Sequence, residues 1–119
     1  MKEIKFYKSP TGKILAGLVE AENVECLAEI KAGSVDDALE KHVPVVKKEN
    51  GKIIVEVGSV THPMLDNHWI QFIALQSEER GLEVVTLNPG EVPHAEFAEV
   101  KGGIVFEYCN LHGLWKAEF

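Results

Sequence analysis

The sequence lacks the features that mark membrane and secreted proteins. None of its apolar runs approaches the roughly 18 consecutive residues that a membrane helix requires. The N-terminal segment, MKEIKFYKSP, has no apolar core of the kind found in signal peptides. We therefore expect a cytoplasmic protein with no membrane partner.

Cysteine is scarce, since Cys26 and Cys109 are the only two in 119 residues. A cytoplasmic chain with two thiols more often keeps them reduced, as packing residues or as metal ligands. The sequence therefore predicts no disulfide framework.

Positive charge is also limited, and the formal net charge is −7. The twelve lysine and arginine residues are scattered, whereas binding to nucleic-acid phosphates requires a clustered basic face. We therefore predict no nucleic-acid partner. An acidic protein also cannot attract an anionic substrate with its overall field, so a site for such a substrate would need local positive charge.

Short strands dominate the chain from residue 34 onwards. About seven of them in fewer than 90 residues predict an all-β fold, and we favour a seven-stranded antiparallel immunoglobulin-like β-sandwich over residues 34–119. Asn50-Gly51 and Gly102-Gly103 are predicted hairpin turns. The predicted strands are VPVVKK, KIIVEVGSV, HWIQFIALQ, LEVVTL, HAEFAEV, GIVFEYC and LWKAEF.

Residues 1–33 are predicted to form a small appendage. The sequence Ser9-Pro10-Thr11-Gly12 favours a type I turn between the strands IKFY and ILAGLVE, because proline presets the second position and glycine suits the fourth. Beyond the appendage, Ser34 is a predicted N-cap for a short helix that runs towards Glu40 and leads to His42.

Four of the five histidines lie in three short, turn-like contexts: EKHVPV, THPMLDNHW and CNLHG. Pro63 favours an extended backbone at His62, and His68 follows six residues later, so both imidazoles could face one centre. Cys109 and His112 form a C-x-x-H pair, a loop type that directs backbone amides at the sulfur. A thiolate with several imidazoles suits iron, copper or zinc.

Each of these residues also has an ordinary structural interpretation. A single histidine at a strand end, or a cysteine such as Cys109, is more often a packing or surface residue. We keep that interpretation for His94, which stands apart from the other histidines, and we predict core positions for Met64, Trp69 and Trp115.

The motifs taken together are much more specific. EKHVPV, GSV-x-HPM-x-x-x-HW and EYCNLHG-x-WKAEF resemble the superoxide reductases, including the desulfoferrodoxins and neelaredoxins, from about Gly33 to Phe119. The resemblance implies one-electron reduction of superoxide to hydrogen peroxide, without production of dioxygen, at one mononuclear non-haem iron per chain. It implies rubredoxin as the electron donor and a homo-oligomer, with a dimer favoured and a tetramer possible. The implied iron ligands are His42, His62, His68, His112 and Cys109, with Nδ1 of His112 and Nε2 of the other imidazoles facing the metal.

The same resemblance implies roles for two charged residues beside His42. Lys41 resembles the family lysine that attracts superoxide, which would supply the local positive charge that an acidic protein needs. Glu40 resembles the family glutamate that acts as a removable ligand of the ferric iron. Without the neighbouring histidine, both would be interpreted as a solvent-exposed ion pair at a helix end.

The appendage departs from the two-iron members of the family, which hold a second iron there through four cysteines. Cys26 is the only cysteine in residues 1–33, and Ser9 and Gly12 stand at what resembles the first C-x-x-C pair. We therefore expect a vestigial desulforedoxin-like domain without metal, with a structural role in dimerisation.

Three other classes of protein fit parts of the pattern. A blue-copper carrier would have a weak axial methionine after its last histidine, whereas no methionine follows Met64 here. A structural zinc site is normally four-coordinate and would leave one of the five candidate ligands unused. A metal-free interaction module would make the clustering of motifs accidental.

Overall fold

The computed structural model describes residues 1–19, 26–35 and 37–119. The N-terminal region contributes β1 (Lys5–Lys8), β2 (Ile14–Gly17) and β3 (Ala28–Ile30). One short helix, α1 (Leu39–His42), is followed by β4 (Pro44–Glu49), β5 (Lys52–Val57), β6 (Ile70–Ser77), β7 (Gly81–Thr86), β8 (His94–Ala98), β9 (Ile104–Cys109) and β10 (Gly113–Glu118). None of the described helices is long and apolar enough to cross a membrane.

The last seven strands form two antiparallel sheets, ordered β10-β9-β6-β7 and β4-β5-β8. Successive side chains of a strand point to opposite faces, so Ile53, Val55 and Val57 of β5 all enter the core between the sheets. Burying one such side chain contributes about 1.5–3 kcal/mol. The predicted seven-stranded antiparallel fold is confirmed.

The N-terminal sheet, ordered β2-β1-β3, forms a third layer on the outer face of the four-stranded sheet. Phe6 is buried there against Phe72 and Phe106, with ring centroids 5.7 and 4.9 Å away. Gln76 of β6 accepts a hydrogen bond from the amide of Ile4 at 2.9 Å and donates one to the carbonyl of Lys2 at 2.7 Å. All six residues of β9 are therefore buried, since the sheet is covered on both faces.

Two predicted turns are confirmed. Asn50 and Gly51 both have positive φ, 52° and 76°, and they connect the paired ends of β4 and β5 as a two-residue hairpin. In the N-terminal sheet, the amide of Gly12 donates to the carbonyl of Ser9 at 3.0 Å.

The predicted hairpin at Gly102-Gly103 is wrong. Strand β8 pairs with β5 and strand β9 with β6 and β10, so this segment passes from one sheet to the other. Gly103 instead exchanges two backbone hydrogen bonds with Phe119, at 3.0 and 3.1 Å. A Cβ atom on Gly103 would collide with the carbonyl oxygen of Gln76, so glycine serves close packing here rather than a turn.

The predicted start of the helix is also wrong. The helix begins at Leu39 after Ala38, which makes no side-chain capping bond. The amide of Gly33 bonds the carbonyl of Leu114 at 2.8 Å, so the segment around Ser34 lies against β10 instead of starting a helix. In the appendage, β2 ends at Gly17, earlier than predicted, and residue 20 lies outside the described part of the chain.

Candidate metal centre

Loops at one end of the sandwich bring the five predicted ligands together. His42 ends α1, and His62 and His68 lie in the loop between β5 and β6. Cys109 ends β9, and His112 lies in the loop before β10, whose first residue, Gly113, has a positive φ of 80°. His94 instead lies on β8, where its Nε2 is 2.9 Å from Glu96, in agreement with its surface interpretation.

The four candidate imidazoles form a closed ring of neighbours. Their centroids are separated by 4.8 Å (His42 to His62), 4.8 Å (His62 to His68), 5.1 Å (His68 to His112) and 4.9 Å (His112 to His42). Adjacent ring planes meet at 68° to 81°. Four imidazoles arranged in this way surround one common centre.

Backbone carbonyls fix two of these rings. Nδ1 of His42 is 2.9 Å from the carbonyl of Ala38, and Nδ1 of His62 is 2.7 Å from the carbonyl of Pro63. A carbonyl only accepts, so each Nδ1 carries the proton and each Nε2 presents a lone pair. These two Nε2 atoms face each other at 3.1 Å. Two nitrogens at right angles, each about 2.1 Å from a metal, would lie about 3.0 Å apart.

Burial favours the neutral form of His62 and His68. It lowers the pKa of His62 to about 4, with smaller contributions from the neighbouring His42, His68 and His112. Burial also lowers the pKa of His68, and the neighbouring His112 lowers it further by a smaller amount. Nε2 of His68 is buried without a hydrogen-bond partner among the described residues. Neutral nitrogens with free lone pairs are what a metal requires.

Cys109 provides the sulfur. Its side chain is fully buried, and Sγ lies 3.8 Å from Nδ1 of His112. Burial raises the pKa of the thiol, while hydrogen bonds from the backbone amides of Leu111 and His112 oppose that rise. The donor atoms of His42, His62, His68 and Cys109 all lie within 4.8 Å of one another, so this residue set fits a transition metal.

Glu40 and Lys41 lie exposed on α1, at the edge of this cluster. The carbonyl of Glu40 accepts hydrogen bonds from the amide of Val60 at 2.8 Å and the hydroxyl of Ser59 at 3.2 Å. The loop that carries His62 therefore also holds α1. The charge of Lys41 contributes to the lowered pKa of His68, which places the ammonium within electrostatic reach of the cluster.

Two further residues, Trp115 and Asp37, contact the cluster, and a third, Asn110, bonds the loop that carries His68; the sequence predicted none of these contacts. Trp115 is buried, as expected of a core residue, but it also stacks on His42. Asp37 lies 3.1 Å from Nδ1 of His112. The Asn110 side chain accepts from the amide of Trp69 at 2.9 Å and donates to the carbonyl of Asn67 at 3.0 Å. Position within the motif EYCNLHG-x-WKAEF was an available signal for Asn110 and Trp115, whereas Asp37 lies outside the quoted motifs.

Comparison with known proteins agrees with this centre. Residues 34–118 match the family model described as Desulfoferrodoxin. The desulfoferrodoxin of Clostridium acetobutylicum is 49% identical over 94 residues, which cover 79% of this chain and 74% of the relative. The superoxide reductase of Pyrococcus horikoshii is 34% identical over 98 residues, covering 66% and 85% of the two chains.

A solved structure extends the likeness to the N-terminal sheet. The crystal structure of the superoxide reductase from Treponema pallidum superimposes with a TM-score of 0.79 at 31% identity, covering 98% of this chain and 99% of that one. The fold and site define a β-sandwich protein with a candidate centre of four histidines and one cysteine. The chain belongs to the superoxide reductase and desulfoferrodoxin family.

Proposed function

We propose that this chain is a superoxide reductase. One superoxide anion takes up one electron and two protons and leaves as hydrogen peroxide, so no dioxygen is formed. The observation that carries the proposal is the ring of four imidazoles beside the buried Cys109 thiol, in a chain of this family.

The proposed cofactor is one iron ion per chain. A bound iron would supply the one-electron exchange between its ferrous and ferric states. The residues that would hold it are His42, His62, His68, His112 and Cys109. Amides of the Cys109 loop point at the sulfur and would stabilise the thiolate form that binds metal.

The positive charge of a bound ferrous ion and that of one lysine would attract superoxide to the site. Four uncharged nitrogens leave much of the positive charge of a ferrous ion in place, which attracts an anion to the centre. Lys41 would add a local positive charge within a chain of net charge −7. For Glu40 we propose the role of a removable carboxylate ligand.

We also propose the electron source and the assembly. Rubredoxin is the proposed donor, and a homodimer is favoured over a tetramer. Exposed Leu15, Leu18 and Val19 at one end of the N-terminal sheet support a role for this region in contact with a second copy. We further propose that residues 1–33 are a metal-free domain distinct from residues 34–119.

Metal analysis with visible spectroscopy tests the centre. Protein purified without oxygen should contain about one iron per chain, and oxidation should produce a thiolate-to-iron absorption that Cys109→Ser abolishes. Cys26→Ser, which removes the exposed thiol, is the matched control and should leave the absorption unchanged. Loss of the band in both variants, or in neither, would contradict the assignment of Cys109.

Product analysis tests the reaction itself. With a reductant present, the enzyme should convert superoxide into peroxide with no dioxygen, whereas a dismutase would release both. The structure offers little support for a blue-copper carrier, because Sδ of Met64 packs against the core and accepts the amide of Ile70 at 3.3 Å.

A further inference from the structure

Exposed aliphatic side chains border the candidate metal centre. Five of them lie on α1, just before it, or on the two loops that carry the other proposed ligands, and each is between 38% and 63% exposed. We call this set the apolar collar; its members are Val35, Leu39, Val60, Leu65 and Leu111. Large apolar side chains that are exposed together at one place on a soluble protein mark an interaction surface.

The loop between β5 and β6 holds two members of the collar at the centre. The amide of Val60 donates to the carbonyl of Glu40 at 2.8 Å, which fixes Val60 against α1. Leu65 and His68 exchange two backbone hydrogen bonds, at 2.8 and 3.1 Å. Both aliphatic side chains are therefore carried by backbone that is tied to the segments of the proposed ligands.

The loop before β10 brings two more members of the collar together. Leu111 directly precedes His112 in the chain. A Cβ atom on Gly113, the next residue, would lie 3.5 Å from a methyl group of Val35, so Val35 borders the same loop. The collar therefore draws on every segment that forms the exposed end of the candidate centre.

Two of the four imidazoles are open to solvent beside the collar. His42 and His62 are only 1% and 2% exposed, whereas His112 is 29% exposed and His68 is partly exposed. The imidazoles of His68 and His112 are neighbours, with centroids 5.1 Å apart. The shortest route from the solvent to the centre therefore passes this pair of rings, and an electron that comes from another molecule would enter here.

The size of the collar fits a transient partner. Five partly exposed aliphatic side chains offer a few hundred Å², below the roughly 800 Å² per partner that a stable interface buries, and electron-transfer complexes lie at the low end of the range. A second copy bound permanently at this position would also cover His68 and His112 and close the route for superoxide. The proposed reaction requires one electron from outside the chain for each superoxide anion, so a transient partner that carries an electron matches both the area and the chemistry.

We propose that the apolar collar is the docking surface for the electron donor, a small electron-transfer protein whose redox group lies beside an apolar face. The inference rests on the proposed function and names the surface of this chain that receives the donor. Charged residues of both signs are exposed at the border of the collar, among them Glu40, Lys41 and Asp66. Apolar contact therefore supplies most of the association, and salt should change donor binding less than it changes the capture of superoxide.

Docking is tested by calorimetric titration with rubredoxin as the probe. Val60→Ser removes one member of the collar and should weaken binding about fivefold. Val84→Ser is the matched control, since it makes the same change on β7 at a position that is 52% exposed, against 49% for Val60, and it should leave the affinity unchanged. Equal affinities in the two variants would overturn the proposal.

Electron delivery is tested by stopped-flow reduction of the ferric protein. Reduced rubredoxin should react about fivefold more slowly with Val60→Ser and Leu65→Ser than with the unmodified protein, whereas ascorbate, a small reductant that needs no docking surface, should reduce all three at equal rates. Equal slowing with both reductants would show a change in the centre itself and overturn the docking role, as would a rubredoxin that fails to reduce the unmodified protein. If the protein bound no iron or left superoxide unreduced, the proposed function would fail, while the titration would still decide whether the collar binds the donor.

Discussion

The indole of Trp115 stacks on the imidazole of His42, with ring centroids 4.9 Å apart and planes 18° apart. The indole Nε1–H donates to the carbonyl of His112 at 3.1 Å. One buried side chain on β10 therefore contacts two of the proposed ligands, one through its ring face and the other through its single donor.

Replacing this tryptophan should weaken metal retention. Trp115→Phe keeps an aromatic face but loses the donor and leaves unfilled volume, so we expect a loss of about 1–3 kcal/mol in stability. Partners that orient ligands typically change metal affinity by about 10- to 100-fold, so iron release to a chelator should be about tenfold faster. Trp69→Phe, in the loop carrying His68, is the control. Equal release rates in the two variants would contradict an orienting role for Trp115.

Asn110 links the two loops that carry four of the proposed ligands. Its side chain bonds the amide of Trp69 and the carbonyl of Asn67, at 2.9 and 3.0 Å. Asn110→Ala removes both bonds and should cost about 1–3 kcal/mol. Asn110→Asp keeps an acceptor for the amide of Trp69 but has no donor for the carbonyl of Asn67. Its free energy of unfolding, measured with denaturant, should therefore lie between those of the unmodified protein and Asn110→Ala. An alanine variant as stable as the unmodified protein would show that this link is unimportant.

Gly58 allows α1 to pack directly on the end of β5. A Cβ atom at this position would lie 2.7 Å from the carbonyl oxygen of Glu40 and 3.0 Å from backbone atoms of Lys41 and Val43. Gly58→Ala should therefore displace the segment that carries Glu40 and Lys41, at a cost of about 1–3 kcal/mol, and slow the reaction with superoxide.

Gly17→Ala is the matched control for this substitution. Its Cβ would lie 3.0 Å from the side chain of Tyr7, in the N-terminal sheet. Thermal unfolding and pulse-radiolysis kinetics of both variants distinguish a local effect on the site from a general loss of stability. Unchanged kinetics in Gly58→Ala would mean that the position of α1 does not matter for the reaction.

Strand patterns predicted most of the fold but not its irregularities. Alternating apolar residues identified β5, and Asn50-Gly51 identified its hairpin. In β6, however, Ile70 and Phe72 enter opposite cores although they are two residues apart, because the pairing with β9 shifts register between them. A bulge of this kind depends on tertiary pairing, and the alternation of residues carries no sign of it.

Motif resemblance predicted five ligands, and the structure brings these five residues close together, whereas the residues that support them could be found only from the structure. From the sequence, Trp115 is interpreted as a core residue because indole is apolar. Its stacking partner, His42, lies 73 positions away in the chain, so local spacing does not indicate the contact. Asp37 was expected inside a helix that in fact begins two residues later, so its approach to His112 could not be predicted from helical spacing.

Phe6 tests whether the N-terminal sheet unfolds with the sandwich. It is only 4% exposed and packs against Phe72 and Phe106 of the four-stranded sheet. Phe6→Ala should cost about 3–5 kcal/mol if the layers unfold together. If residues 1–33 form the independent domain that we propose, calorimetry should show a separate transition, and only that transition should shift.

Lys41 tests whether substrate capture is local. The residue is exposed beside His42, and its charge acts on the cluster. Local positive charge speeds association with an anion and makes the rate depend on ionic strength. Lys41→Ala should therefore lower the second-order rate constant with superoxide by about tenfold at low salt and flatten its salt dependence. Lys47→Ala, which removes an exposed lysine from β4, removes the same net charge. If both variants slowed the reaction equally, overall charge rather than a lysine at the site would guide superoxide.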